Sequence, residues 1–239
     1  MPGQVLMLWS APRSRSTAFF RMMTERGDVT AVHEPFSYLA QFGHVDIGGT
    51  RITAVPALIA ALGSLARRGP VFAKETSGRR YPQVLTERQF LARDAQHTFL
   101  IRHPRETIAS YRAVQPDAAL SQMGFESLHE VFTEVTRVTG RTPVVLDSAD
   151  LVARPAAIVR AYCERVGLDF RPGALTWPPA DRPEWQLSRD WHTEVAASSG
   201  FTGTTRRPGT DVAQDPVLSR YLDYHLPFYL HLYQYRLLA

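Results

Sequence analysis

The chain has 239 residues, enough for one domain with a substantial core, and 44% of them are hydrophobic while 21% are charged; this is typical of a soluble globular protein. The formal net charge is only +4, and its basic residues are scattered rather than gathered in a stripe, so we expect no nucleic-acid partner. The single cysteine, Cys163, excludes an internal disulfide and a cysteine metal cluster. No stretch approaches the roughly 18 apolar residues of a membrane helix and no signal-like segment is present, so a cytoplasmic protein with no membrane association is expected.

Short apolar segments alternate with segments of helical periodicity. The predicted strands are 4–9, 29–36, 70–75, 97–104 and 143–151. The predicted helices are 16–27, 55–69, 104–114, 126–140, 154–168 and a closing aromatic helix over 221–235. This alternation predicts an α/β fold with a central, mostly parallel sheet flanked by helices.

Residues 1–239 are predicted to form one domain, within which 171–216 is an irregular loop region. This region contains Trp177, Trp185 and Trp191, and tryptophans prefer to be packed, so the region is expected to be functional rather than a linker. The tryptophans are candidates for lining a pocket for an aromatic or apolar substrate, although core packing is the expected use of at least two of them.

A cationic, hydroxyl-rich loop follows the first predicted strand, with the sequence SAPRSRST over 10–17. Ligands of parallel sheets bind beyond the carboxyl ends of the strands, and a helix that begins there favours anions. Arginine and hydroxyl side chains add charge-assisted hydrogen bonds. An anion site is therefore predicted, the alternative being a solvated helix cap.

The phosphate-binding loop of nucleotide-dependent kinases has the pattern G-x-x-x-x-G-K-[ST]. With Ser16 as its last residue, Trp9 and Ser14 stand at the two glycine positions and Arg15 at the lysine. A kinase using ATP and Mg²⁺ is therefore disfavoured but remains the alternative; it would need Asp147 or Asp150 to hold the metal.

The segment PRSRST (12–17) resembles the phosphosulfate-binding loop of sulfotransferases that use 3′-phosphoadenosine 5′-phosphosulfate. The cofactor-binding residues that this resemblance implies are Arg13, Ser14, Arg15, Ser16 and Thr17. Arg13 matches the basic residue expected beside the bond that breaks, and Arg15 stands where the family has glycine. The resemblance implies a three-layer, P-loop-like fold and a reaction without a metal.

A second segment, LIRHPRETIASYR (100–112), resembles the 3′-phosphate-binding part of the same family. There an arginine ends a strand and a serine follows eight residues later on the next helix. Arg102 and Ser110 match these two residues, with Pro104 starting the helix between them. The resemblance covers roughly residues 3–112.

Transfer of a sulfuryl group to a hydroxyl or amine needs a general base. Glu34 is the first candidate because bacterial and tyrosyl-protein sulfotransferases, which the segment AVHEPFS resembles, carry a basic glutamate shortly after the first helix. His33 is the competing candidate, since its ordinary pKa lies near neutrality. Lys74 resembles the lysine of the Lys-Thr-His segment of cytosolic sulfotransferases and is expected to touch the sulfuryl group or the acceptor. Glu75 is a reserve candidate for binding the substrate.

The late segment SSGFTGTTRR resembles, loosely, a loop that closes over the cofactor in this family. The resemblance implies contacts from Ser199, Gly200, Phe201 and Arg206, the alternative being a mobile surface loop. The expected protein is a sulfotransferase acting on a small-molecule acceptor and forming, as one possibility, a homodimer. A non-catalytic bisphosphate-binding protein of the same fold is the remaining alternative.

Overall fold

The computed structural model describes residues 4–201 and 211–239. The strands are β1 (Val5–Ser10), β2 (Thr30–His33), β3 (Val45–Ile47), β4 (Thr50–Ile52), β5 (Val71–Thr76), β6 (Ala95–Ile101) and β7 (Val144–Asp147). The α-helices are α1 (Ser16–Glu25), α2 (Pro35–Phe42), α3 (Val55–Ala66), α4 (Pro82–Thr86), α5 (Pro104–Arg112), α6 (Phe125–Thr139), α7 (Ser148–Ala153), α8 (Pro155–Val166), α9 (Thr193–Ala196) and α10 (Pro216–Tyr233). In these described ranges, no helix is both long and apolar enough to cross a membrane.

The main sheet has the strand order β2-β5-β1-β6-β7, and its neighbouring strands all pair in parallel. The central strand β1 alternates strictly between two cores. Met7 and Trp9 face one cluster, while Leu6 and Leu8 face the other, as the period of two in a strand requires. Both faces are covered by helices, so the predicted α/β fold with a central parallel sheet is confirmed.

Parallel pairing brings the carboxyl ends of four strands to one edge. Ser10 at the end of β1 is in register with Thr76 of β5 and Leu100 of β6. At the outer side, His33 of β2 is in register with Lys74 of β5. The loops after these strands, which carry the predicted site residues, therefore meet along a single edge.

Proline marks the first turn of many helices, where its missing N–H leaves no hydrogen bond unmade. This holds for six of them: α2, α3, α4, α5, α8 and α10. The α5 helix begins at Pro104 as predicted.

Several predicted boundaries are wrong. The strand predicted over 143–151 ends at Asp147, because the Asp147 carboxylate caps α7 by accepting from the Ala149 amide at 2.8 Å. The strand predicted over 29–36 ends at His33, and Pro35 starts the unpredicted helix α2. The β3–β4 hairpin is likewise unpredicted. Within 171–216, the described part contains α9 and two 3₁₀ segments, Pro172–Leu175 and Pro183–Trp191.

Candidate active site

A cleft of about 740 Å³ opens at the carboxyl edge of the sheet, between the loops after β1, β2, β5 and β6 and the segment 186–201. Most of the predicted site residues line it: Arg13, Arg15, Ser16, Thr17, Glu34, Lys74, Arg102, Ser110, Gly200 and Phe201. Ser14, His33, Glu75 and Ser199 are not among its lining residues. Arg206 lies outside the described residues. Residues from five separate parts of the sequence thus share one cavity.

The loop after β1 has an unusual backbone. Arg13 and Arg15 adopt positive φ angles of 60° and 65°, a left-handed conformation that is uncommon for residues other than glycine. The conformation at Arg15 accounts for glycine at this position in the resembling loop. We take this strain as a mark of a functional segment, because it persists only where the surroundings enforce it.

Neighbouring backbone holds this loop in place. Ser77 donates from its amide and its hydroxyl to the carbonyl of Ser10, at 2.8 and 3.0 Å. Gly124, with a φ of +76°, lies so close that an added Cβ would stand 2.6 Å from the Ser77 carbonyl oxygen and 2.8 Å from Pro12 Cδ. Only glycine fits at position 124. The loop after β1 is therefore packed against Ser77 and Gly124 and is not free in solvent.

The two predicted phosphate-binding motifs touch each other. Arg13 donates from Nε to the Ser110 hydroxyl at 3.0 Å, and Arg102 donates to the carbonyl oxygen of Arg13 at 2.9 Å. Arg13 also donates to the Trp191 carbonyl at 2.6 Å and lies 3.7 Å from the Glu194 carboxylate. The loop after β1 and the β6–α5 segment therefore form one cationic wall.

Positive charge is crowded in this wall. Burial lowers the pKa of Arg13 from its ordinary value, and the nearby Arg102 charge lowers it further while Glu194 opposes the shift. Burial followed by Arg102 also lowers the pKa of Arg15. The first-turn amides of α1 add partial positive charge at the same place. Such mutual repulsion between guanidinium groups is relieved by an anion, so the wall is suited to bind one.

The remaining loop residues differ in accessibility. Arg15 lines the cleft and donates to the Ser148 hydroxyl at 3.3 Å. Ser14 is completely buried, and among the described residues its hydroxyl has no hydrogen-bond partner. Ser14 therefore does not reach the cleft in this structure, in contrast to its predicted role.

Across the cleft, Glu34 and Lys74 form an ion pair. Lys74, the only lysine in the sequence, is 1% exposed and donates to the Glu34 carboxylate. Glu34 adopts a φ of 43° immediately before α2, so a strained backbone presents this carboxylate to the cleft. Parallel pairing of β2 with β5 places the two side chains together, because His33 and Lys74 are in register.

Glu75 has a different role from the one considered for it. It is completely buried and accepts from the Phe36 amide at 2.8 Å, the Ser37 hydroxyl at 2.5 Å and the Tyr81 hydroxyl at 3.1 Å. Its carboxylate thus satisfies the amino end of α2. Burial and then the neighbouring Glu34 raise the pKa of Glu75 to about 7. Buried and fully engaged, Glu75 is not available to an acceptor.

A further polar group lies beside the ion pair and includes His192, which the sequence analysis missed. Thr17 Oγ1 lies 3.0 Å from His192 Nδ1, and His192 Nε2 lies 3.0 Å from the Ser188 hydroxyl. A lone histidine in an irregular segment carries no signal in the sequence. Its placement depends on how 183–196 folds back over the amino end of α1.

One atom each from His33, Glu34 and His192 lie within 4.8 Å of one another, a spacing compatible with a metal ion. However, both nitrogens of His192 already have hydrogen-bond partners, and the Lys74 ammonium group contacts Glu34. The residues fit a metal poorly, and the expected metal-free reaction stays a prediction.

The late loop is anchored to the preceding segment. Ser199 accepts from the Trp177 amide at 3.1 Å, and Gly200 forms an antiparallel bridge with Thr176. Phe201 packs against Phe19 and Trp177, with ring centroids 6.4 and 5.5 Å apart. Gly200 and Phe201 consequently form part of the cleft wall, whereas Ser199 contributes its backbone behind them.

The three tryptophans separate into two uses. Trp177 and Trp185 are 4% and 1% exposed and belong to one hydrophobic core. Trp191 lines the cleft and packs on Tyr111, with ring centroids 4.9 Å apart. Only Trp191 of the three therefore offers its surface to a ligand.

The carboxylates that a magnesium-dependent kinase would need are occupied elsewhere. Asp147 caps α7 and accepts from the Tyr229 hydroxyl at 3.1 Å. Asp150 forms ion pairs with Arg154 and Arg236. Neither carboxylate lines the cleft, so this arrangement gives the kinase alternative no support.

Fold and cleft together define an α/β protein with an anion-binding loop after its first strand. A family model described as "Sulfotransferase domain" matches residues 4–234. The chain belongs to this sulfotransferase domain family, and the resemblance found in its sequence is confirmed.

Two curated proteins of Arabidopsis thaliana are similar in sequence. Branched-chain-amino-acid aminotransferase-like proteins 1 and 2 are 28% and 25% identical to this chain over 221 residues. Each match covers 87% of this chain but 38% of the relative, so the chain spans under two fifths of the length of these relatives.

Solved structures resemble the fold. The sulfotransferase domain from the Synechococcus PCC 7002 olefin synthase is 16% identical with a TM-score of 0.54, over 94% of this chain and 95% of that one. A sulfotransferase from Alicyclobacillus acidocaldarius is 13% identical with a TM-score of 0.53, over 98% and 97%. At such identities the likeness shows a shared fold.

Proposed function

We propose that the protein transfers a sulfuryl group from 3′-phosphoadenosine 5′-phosphosulfate to a hydroxyl or amine of a small molecule, with Glu34 as the general base. The observation that carries this proposal is the convergence of two distant motifs, in which Arg13 hydrogen-bonds Ser110 and Arg102 hydrogen-bonds the Arg13 backbone. A second cationic motif beside the loop after β1 suits a ligand that carries a second phosphate. The donor, when bound, supplies a sulfuryl group attached to a phosphate leaving group.

The donor set in the cleft fits this molecule. The amino end of α1 and the side chains of Arg13, Ser16 and Thr17 would hold the phosphosulfate end, since helix amides and guanidinium groups favour anions. Arg102 and Ser110 would hold the 3′-phosphate. Gly200 and Phe201, which line another side of the cleft, would contact the adenine, because an aromatic ring offers a stacking surface.

Glu34 is proposed to accept the proton of the attacking hydroxyl or amine. Its carboxylate lines the cleft, whereas His33 does not and Glu75 is sealed in the core. Lys74 holds the carboxylate in place through their ion pair. Arg13 would offset negative charge that develops on the leaving phosphate. The small-molecule acceptor, the cytoplasmic location and the single-domain and homodimer arrangements stay predictions.

The test separates donor binding from chemistry. Wild-type protein should bind adenosine 3′,5′-bisphosphate in calorimetry and transfer labelled sulfate to at least one member of a panel of hydroxyl and amine metabolites. Glu34→Gln should retain bisphosphate affinity and lose about 10²- to 10⁴-fold in turnover, the range of general-base catalysis. Glu164→Gln, which alters an exposed glutamate of α8, is the matched control and should match wild type.

Wild-type protein that fails to bind the bisphosphate would refute the proposed donor. Unchanged turnover in Glu34→Gln would refute the base. Tight binding with no transfer to any acceptor would instead favour the non-catalytic bisphosphate-binding protein.

A further inference from the structure

The segment 10–17, which is proposed to hold the sulfuryl donor, is called the donor loop here. Five side chains form an unbroken hydrogen-bonded chain from this segment to the residue beside the proposed base; we call them the relay. They are Thr17, His192, Ser188, Tyr38 and His33. The successive distances, from Thr17 Oγ1 to His33 Nδ1, are 3.0, 3.0, 2.9 and 3.0 Å. Every link is within the range of a good hydrogen bond.

Burial favours the neutral form of both imidazoles of the relay. Burial, followed by the Lys74 charge, lowers the pKa of His33 well below its ordinary value. Burial, with Lys74 and then His33 acting in the same direction, lowers the pKa of His192 to about 2. Each imidazole therefore has one nitrogen that donates and one that accepts.

Because each inner member has one proton to give and makes two hydrogen bonds, the relay has two consistent arrangements. In the first, Thr17 donates to His192 Nδ1 and every later bond points the same way, so that both histidines carry their proton on Nε2. In the second, every bond is reversed and both histidines carry their proton on Nδ1. A change at one end is thus transmitted to the other.

The two ends of the relay face different groups. Thr17 lines the cleft at the donor loop, and only in the second arrangement is its hydroxyl proton free to donate to a ligand. At the other end, His33 Nε2 is buried, has no hydrogen-bond partner among the described residues and lies 4.0 Å from Glu34 Oε1. The first arrangement points an N–H toward this carboxylate, and the second points a lone pair.

We propose that an anion bound at the donor loop reverses the relay, so that His33 turns its Nε2 lone pair toward Glu34. Tyr38, Ser188 and His192 are then positioning residues that link donor binding to the base. The inference rests on the proposed function for the place of the anion.

The physical reason lies in what each end prefers. An anion can only accept hydrogen bonds, so it favours the arrangement in which Thr17 donates to it. Without an anion, the Glu34 carboxylate favours the His33 N–H. After reversal, a proton that Glu34 takes from the acceptor meets the lone pair of His33 Nε2, and closing the 4.0 Å gap between the two side chains lets the protonated carboxyl group donate to it. The proton comes to rest on Glu34, and the relay gains or loses none.

Nitrogen-15 NMR of the histidine side chains distinguishes the two tautomers directly. Signals of His33 and His192 can be assigned with the variants His33→Gln and His192→Gln. In the ligand-free protein both histidines are expected as the Nε2–H tautomer. Saturation with adenosine 3′,5′-bisphosphate together with inorganic sulfate, which mimics the sulfuryl end, should convert both to Nδ1–H.

Tyr38→Phe cuts the relay without removing either histidine. In this variant the ligands should still convert His192, while His33 stays in the Nε2–H form, and turnover should fall about tenfold, the scale of one hydrogen bond. A mere structural role for Tyr38 would not uncouple one histidine from the other. Tyr162→Phe is the matched control, because it removes a buried hydroxyl that hydrogen-bonds Thr98 in the core, and both of its relay histidines should respond.

Joint conversion in wild type with uncoupling in Tyr38→Phe supports the relay. Bisphosphate binding, seen by calorimetry, without a change of tautomer overturns the relay and leaves the proposed function standing. Conversion of His33 in Tyr38→Phe also overturns it. Absence of bisphosphate binding overturns the proposed function. In that case, conversion of both histidines by sulfate alone would still support the relay. If sulfate alone also left the tautomers unchanged, the relay would be overturned as well.

Discussion

Arg102 should decide whether the cleft distinguishes a 3′-phosphate. Its side chain is 11% exposed, donates from Nε to the Glu106 carboxylate at 2.8 Å and from a terminal nitrogen to the Arg13 carbonyl at 2.9 Å. A guanidinium has five N–H donors, so other donors remain for a ligand. A charge-assisted hydrogen bond contributes about 1.5–3 kcal/mol, and Arg102→Ala should therefore weaken bisphosphate binding roughly 10- to 150-fold.

Calorimetry with two ligands tests this reasoning. Adenosine 3′,5′-bisphosphate should lose the full factor in Arg102→Ala, while adenosine 5′-monophosphate should lose less, through the disturbed Arg13 backbone alone. Arg105→Ala removes the same charge from an exposed position in the first turn of α5, three residues further on and outside the cleft lining, and should leave both affinities within about twofold. Equal losses for the two ligands, or equal effects of the two variants, would refute a specific role in binding the 3′-phosphate.

Two stability predictions follow from the packing behind the cleft. Burial raises the pKa of Glu75 from 4.5 to about 7, so its contribution to stability is fully present below 4.5 and is lost as the pH rises through about 7, by roughly 3 kcal/mol. Glu75→Gln should flatten this part of the pH dependence of unfolding in urea; an unchanged slope would contradict the assignment. Gly124→Ala should be destabilised by more than Gly140→Ala, because both glycines have positive φ (about 1–2 kcal/mol for a side chain) but only Gly124 has backbone within 3 Å of the added Cβ. Equal losses in urea denaturation would show that the loop gives way.

Local sequence patterns were enough to predict the layers of this fold. The apolar run that forms β1 and the proline at the start of α5 are local features of the chain, and the strand and the helix both form where they were predicted. The strand predicted over 143–151 is shorter than expected, because residues after Asp147 can form either a strand or a helix. A side-chain cap from Asp147 decides between these states.

The motifs around Arg13 and Arg102 could be predicted because each consists of basic and hydroxyl residues that are close together in the sequence and follow a strand. Parallel strands end at one edge, so their loops had to come together. The sequence could not indicate that the Glu75 carboxylate would accept hydrogen bonds from the amino end of α2. Nor could it indicate that Ser14 would be buried or that His192 would contact Thr17.

The residues themselves therefore determined the type of sheet, the position of its anion loop and the candidates for the base. Tertiary structure alone decided which candidate faces the cleft and which is buried, because exposure depends on segments far apart in the chain. Glu34 became the accessible carboxylate only when β2 paired with β5 and brought Lys74 beside it. Such pairing is set by the summed packing of the whole domain, and no short stretch of sequence contains it.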